Sequence, residues 1–86
     1  MDVEFTEKAR EDFLSLEKEL QIYFKKHLEK ISEMPPRRHL KFGVPFCVES
    51  VTKQARLVYE IENNKLYAIR CFALHKDYEK WYMSYK

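Results

Sequence analysis

Eighty-six residues with 45% hydrophobic and 15% aromatic side chains suffice for one small core and exclude an intrinsically disordered chain. No signal-like run follows Met1, no apolar stretch nears the ~18 residues of a membrane span, and Cys47 and Cys71 stand singly in apolar runs; these features predict a cytoplasmic protein with two reduced, buried thiols and no metal site. The formal charge of +2 is unevenly spread: residues 1–34 carry six basic and nine acidic side chains, residues 35–86 ten and five, so only the second part suits a polyanionic partner.

Taken in order, Asp2–Phe5 alternates as a short strand and Thr6 is placed to cap a helix. Ala9, Phe13, Leu16, Leu20, Phe24, Leu28 and Ile31 then recur every three or four residues, an apolar stripe over one helix or a helical hairpin with a break near Glu17–Glu19. Pro35, Pro36, Gly43 and Pro45 end that pattern. Beyond them the period is two: FCVESV, ARLVYEIE and KLYAIRCFAL read as strands joined by turns at TKQ and NN. Helical spacing returns at the end, where Tyr78, Trp81, Tyr82 and Tyr85 share a face and Asp77 can act as cap. The expected fold is a single α+β domain over residues 1–86, β-α-α-β-β-β-α, with two N-terminal helices packed on an antiparallel sheet and a short C-terminal helix.

Turn length sets which side chains share a face of such a sheet. A two-residue Asn63–Asn64 loop would set Arg56 opposite Cys71, and a two-residue Lys53–Gln54 loop would set Glu49 opposite Val58. One face would then hold Phe46, Val48, Leu57, Tyr59, Ile61, Leu66, Ala68, Phe72 and Leu74 against the helices. The other would gather Glu49, Arg56, Glu60, Tyr67 and His75. A three-residue loop would reverse one of these assignments. Arg70 falls on the helix side, where only a sheet-edge position would accommodate it.

A carboxylate, a guanidinium and an imidazole on one face can cleave RNA. A base takes the 2′-hydroxyl proton, a cation stabilises the phosphorane, and an acid protonates the leaving 5′-oxygen. Histidine suits proton transfer near neutral pH, arginine grips phosphate bidentately, and tyrosine or tryptophan stacks on an unpaired base. Glu49, Arg56, His75, Lys76 and Tyr82 supply this set. Each also has a plainer use: Arg56 can pair with Glu49 or Glu60, and the Tyr–Trp stripe can be packing. Lys53 and the run Arg37, Arg38 and Lys41 can be solvated charge.

Three strings carry more. LKFG at 40–43, VTKQARLVYEIENNKLYAIRCF at 51–72 and HKDYEKWY at 75–82 together resemble the RelE toxins of the RelE/ParE superfamily, toxin components of type II toxin–antitoxin systems. The resemblance spans nearly the whole chain, because the preceding strand and helices follow that fold's order. It implies an endonuclease that cuts mRNA in the ribosomal A site, without metal or cofactor, and a cognate antitoxin that blocks the basic face. On it, Arg56 takes the place of the phosphate-stabilising arginine and Lys76 that of a catalytic-site arginine of some members. Tyr82 corresponds to the tyrosine near the reacting nucleotide, and His75 to the general acid of the histidine-bearing branches. The chain departs from the founding members where Cys47 and Glu49 replace a lysine pair. Glu49 is therefore the expected base on face geometry, with His75 as the other choice. Lys53, Lys41, Arg37, Arg38 and Lys80 are the expected RNA or ribosome contacts. The alternative is a non-catalytic protein on the same scaffold, a ParE-like gyrase poison or an inactive antitoxin-binding relic; His75, Lys76 and Tyr82 together argue against it.

Overall fold

Thr6 converts the first strand, β1 (Asp2–Phe5), into the first helix, α1 (Glu7–Leu14). Its backbone is extended, and its hydroxyl oxygen accepts the Ala9 N–H at 3.1 Å, satisfying one of the helix's otherwise orphaned donors. The same hydroxyl donates to the Ile69 carbonyl, and the Thr6 N–H donates to the Ala68 carbonyl at 3.0 Å. The cap thus fastens the strand–helix corner to the sheet. The computed structural model describes residues 1–33 and 46–85.

The apolar stripe is a hairpin rather than one helix. After Leu14 the chain tightens through Ser15 and Leu16, and α2 runs from Lys18 to Glu33. The Gln21 amide reaches back to the Phe13 carbonyl at 2.8 Å, so α2 itself satisfies an acceptor at the end of α1. Strands β2 (Cys47–Ser50), β3 (Arg56–Glu62) and β4 (Lys65–Phe72) follow, then α3 (His75–Tyr85). The last helix begins two residues before Asp77: the Leu74 carbonyl accepts the N–H groups of both Asp77 and Tyr78, so Asp77 lies in the first turn and is not the cap.

The sheet has the order β1-β4-β3-β2. It is mixed rather than antiparallel, because β1 lies parallel to β4, with Val3 beside Leu66 and Phe5 beside Ala68. That direction delivers Thr6 to its partners on β4 and lays α1 over one face. Asn63 and Asn64 both have positive φ, 50° and 60°, the geometry of a two-residue hairpin turn that asparagine tolerates.

Two local features reset the expected faces. Ser50 pairs with Arg56 and Val51 N–H bonds to the Ala55 carbonyl, so the β2–β3 loop is the three residues Thr52–Gln54. On β4 the register set by the asparagine turn holds from Lys65 to Ala68. A bulge beside Val58/Tyr59 then absorbs Ile69, so that Arg70 faces Val58 and Phe72 faces Arg56. Leu57, Tyr59, Ile61, Leu66 and Ala68 do lie under α1 and α2, as expected. Phe46, Val48 and Phe72 do not: they lie on the opposite face, beneath Tyr78, Trp81 and Tyr82 of α3. Leu74 is exposed rather than buried.

The main core joins Ala9, Phe24, Leu28 and Ile31 to the first of these faces, with Phe24, Leu57 and Leu66 fully enclosed. Burying each such side chain contributes roughly 1.5–3 kcal/mol. Both cysteines are buried, as expected of structural thiols. Arg70 has a partner that sequence reasoning did not supply. Its Nε and Nη2 donate to the two oxygens of Asp12 on α1, at 2.6 and 3.1 Å, and Asp12 Oδ2 also accepts the Cys71 N–H. β1 ends before this level of β4, so α1 supplies the contact a further strand would have made.

Candidate functional site

On the face under α3, polar groups collect where the β2–β3 loop meets the start of α3. Arg56 is the first residue of β3, on the same face as Val58. Its Nη1 donates to the carbonyls of Thr52, Lys53 and Ala55 at 3.1, 3.2 and 2.9 Å. The Thr52 hydroxyl in turn accepts the N–H groups of Gln54 and Ala55. The loop is therefore wrapped around one corner of the guanidinium. Among the described residues, Nε and Nη2 of Arg56 donate to nothing, and the bidentate edge suited to two phosphate oxygens is left open.

His75 stands at the first position of α3. Its backbone N–H makes a long hydrogen bond, 3.4 Å, to Oε1 of Gln54, so one loop contacts both Arg56 and His75. Its Nδ1 lies 2.8 Å from Glu79 Oε1, and its ring centroid is 5.8 Å from that of Tyr78. Behind these groups, Phe46, Phe72, Tyr78, Trp81 and Tyr82 form a chain of ring contacts with centroids 5.7 to 6.5 Å apart. Burial pushes the Tyr78 phenol above its ordinary range, against the pull of the nearby Arg56 charge. Among the described residues, no three of His, Cys, Asp and Glu converge as metal ligands, and no helix is long and apolar enough to cross a membrane.

By sequence the chain matches no protein-family model and no curated protein. Its fold has solved counterparts. The intact RelBE toxin–antitoxin complex of E. coli contains a chain that superimposes with a TM-score of 0.71 at 20% identity, covering 81% of this chain and 92% of that one. A YoeB–YefM complex from Staphylococcus aureus gives 0.66 at 17% identity over 83% and 93%. A metal-bound toxin from Helicobacter pylori gives 0.68 at 21% identity over 90% and 97%. The chain has the RelE-toxin fold.

Within that RelE-like frame, Arg56, His75 and Tyr82 are brought to one side of the sheet, as expected. Lys53 is exposed in the loop that holds Arg56, and Lys76 and Lys80 are exposed on α3. Tyr82 is half-buried, 6.1 Å from the Tyr78 ring. Glu49 is the exception. The three-residue loop turns it to the α2 side, where its Oε2 lies 3.0 Å from Nδ1 of His27. The expectation that Glu49 shares a face with Arg56 is thereby corrected, and neither Glu49 nor Glu60 pairs with Arg56 among the described residues. Arg37, Arg38 and Lys41 lie outside the described residues. Gln54, Tyr78 and Glu79 were not foreseen at the site. The spacing of His75 and Glu79, four apart on a helix, was the one signal that could have revealed the last.

Proposed function

We propose that this protein is the toxin of a type II toxin–antitoxin pair, a cytoplasmic endoribonuclease that cleaves mRNA in the ribosomal A site and is neutralised by a cognate antitoxin. The observation that carries the reading is the captive Arg56, whose Nη1 is spent on three carbonyls while its Nε and Nη2 donate to nothing among the described residues. A guanidinium held this way loses little freedom when it grips a phosphodiester and is preorganised for the extra charge of the phosphorane. His75 then protonates the leaving 5′-oxygen. Lys76 and Lys53 add positive charge beside the phosphate, Lys80 contacts the RNA backbone, and Tyr82 flanks the reacting nucleotide. Glu49 takes no part, since its carboxylate lies across the sheet on His27. The RelE-like fold and the toxin–antitoxin complexes among its structural counterparts support the reading.

Primer extension on a translated message tests it. Induction of the wild type should produce new 5′ ends within codons and halt protein synthesis, and Arg56→Ala should do neither while keeping its circular dichroism spectrum. Growth arrest with DNA breaks and intact mRNA would instead establish a gyrase poison on this scaffold.

A further inference from the structure

We propose that Glu79 is a positioning residue for His75 and selects Nε2 as the nitrogen that exchanges a proton with RNA. This rests on the mRNA-cleavage reading above. The two side chains are one helical turn apart on α3, with Nδ1 of His75 2.8 Å from Oε1 of Glu79. An ionised carboxylate only accepts, so Nδ1 carries the hydrogen between them and Nε2 is left for the substrate. The ring is bounded on another side by Tyr78, and the backbone of His75 is tied to Gln54. The His75 side chain is nevertheless 40% exposed, so a nucleotide can reach it.

The consequence for proton transfer is specific. In the imidazolium both ring nitrogens carry hydrogen. As the 2′-oxygen bonds to phosphorus and the P–O5′ bond breaks, Nε2 passes its proton to the departing 5′-oxygen and the 2′-hydroxyl proton goes to water. The ring that remains is the neutral Nδ1–H tautomer, which Glu79 already holds. Free histidine prefers the other neutral tautomer, so Glu79 lowers the free energy of the state reached by donation from Nε2 and keeps the ring aimed.

Two measurements on the full chain test this, one independent of RNA. Nitrogen-15 NMR of the neutral side chain should find His75 as the Nδ1–H tautomer in the wild type and mainly as the Nε2–H tautomer in Glu79→Ala. In single-turnover cleavage of ribosome-bound mRNA, Glu79→Ala should lower the rate at saturation about tenfold, the smaller end of the effect of losing a group that orients a proton donor. Half-saturation by programmed ribosomes and helix content should not move. Met83→Ala, an exposed change on the same helix, should leave both tautomer and rate as in the wild type. An Nε2–H tautomer in the wild type, or an unchanged cleavage rate in Glu79→Ala, overturns the proposal. An Nδ1–H tautomer in a wild-type protein that cuts no message overturns the cleavage reading itself, and the catalytic role of Glu79 with it.

Discussion

The two faces of the sheet are built from the same strands and serve opposite ends. Beneath α1 and α2, every large side chain of β3 and β4 meets an apolar partner, and Leu57 and Leu66 have no exposed surface. Beneath α3, the enclosed set among the described residues shrinks to Val58, Phe72 and Tyr78, and half-exposed aromatic rings lead out to Arg56 and His75. Neighbours in one hairpin therefore separate completely: Leu57 is core, while Arg56 beside it is a cation fixed through Nη1, with Nε and Nη2 donating to nothing among the described residues. A closed face supplies the stability that lets the other hold polar groups in place for chemistry.

The sharpest way to break the comparison is to empty the closed face. Leu57→Ala should lower stability by about 2–5 kcal/mol, read as a shift in urea midpoint, because the site is walled on all sides and relaxes little. Its neighbour should behave in the reverse manner. Arg56→Ala should reduce mRNA cleavage by about 10²–10³-fold, as loss of one preorganised donor to a charged transition state does, while stability measured by urea unfolding falls by only about 1 kcal/mol for the bonds to the loop carbonyls.

Asp12→Ala probes the edge where the faces meet. It leaves Arg70 and the Cys71 N–H without their acceptor and should destabilise by about 1–3 kcal/mol. Alkaline titration samples mainly the closed face, although burial shifts the Tyr78 phenol of the other face in the same direction. Burial, reinforced by the Asp12 carboxylate and partly opposed by Arg70, pushes the Cys71 thiol from 9.0 up to about 12. Burial, with Cys47 and Glu49 adding to it, pushes the Tyr59 phenol from 10.0 up to about 12. The unfolded chain thus releases these protons at lower pH than the folded one, so stability should be unaffected below about pH 9 and decline from there toward about pH 12. Denaturant melts across that window should show the decline, and Cys71→Ala should flatten its lower part. The smallest effect is expected at Glu49. Glu49→Gln should leave cleavage within about twofold of wild type, since a side chain on the far face acts on the reaction only through packing. A large loss there would return the proton acceptor to Glu49 and break the division of faces.

Much of this was open to inspection in the residues. The spacing of Phe24, Leu28 and Ile31 requires a helix with one buried stripe, Thr6 is a good cap, and Asn63–Asn64 is a good two-residue turn. Arg56 and His75 could be singled out by their chemistry and their place in the motif strings. The side on which Glu49 emerges could not. It depends on whether a loop takes two residues or three, and Thr52, Lys53 and Gln54 permit either. The decision lies with Val51 and Ala55, which are buried together against the helices only in the longer loop. The bulge at Ile69 is likewise invisible in a run of alternating residues. So is the partnership of Arg70 with Asp12, 58 positions away.

Local periodicity and capping chemistry determined which elements form and in what order, because those depend on neighbours within a turn or two of the chain. Only the tertiary structure decided the parallel seat of β1, the register beyond the bulge and the face of each polar residue. A one-residue change in register reverses every side chain after it, and the energy that selects among registers comes from burying apolar surface between segments far apart in sequence.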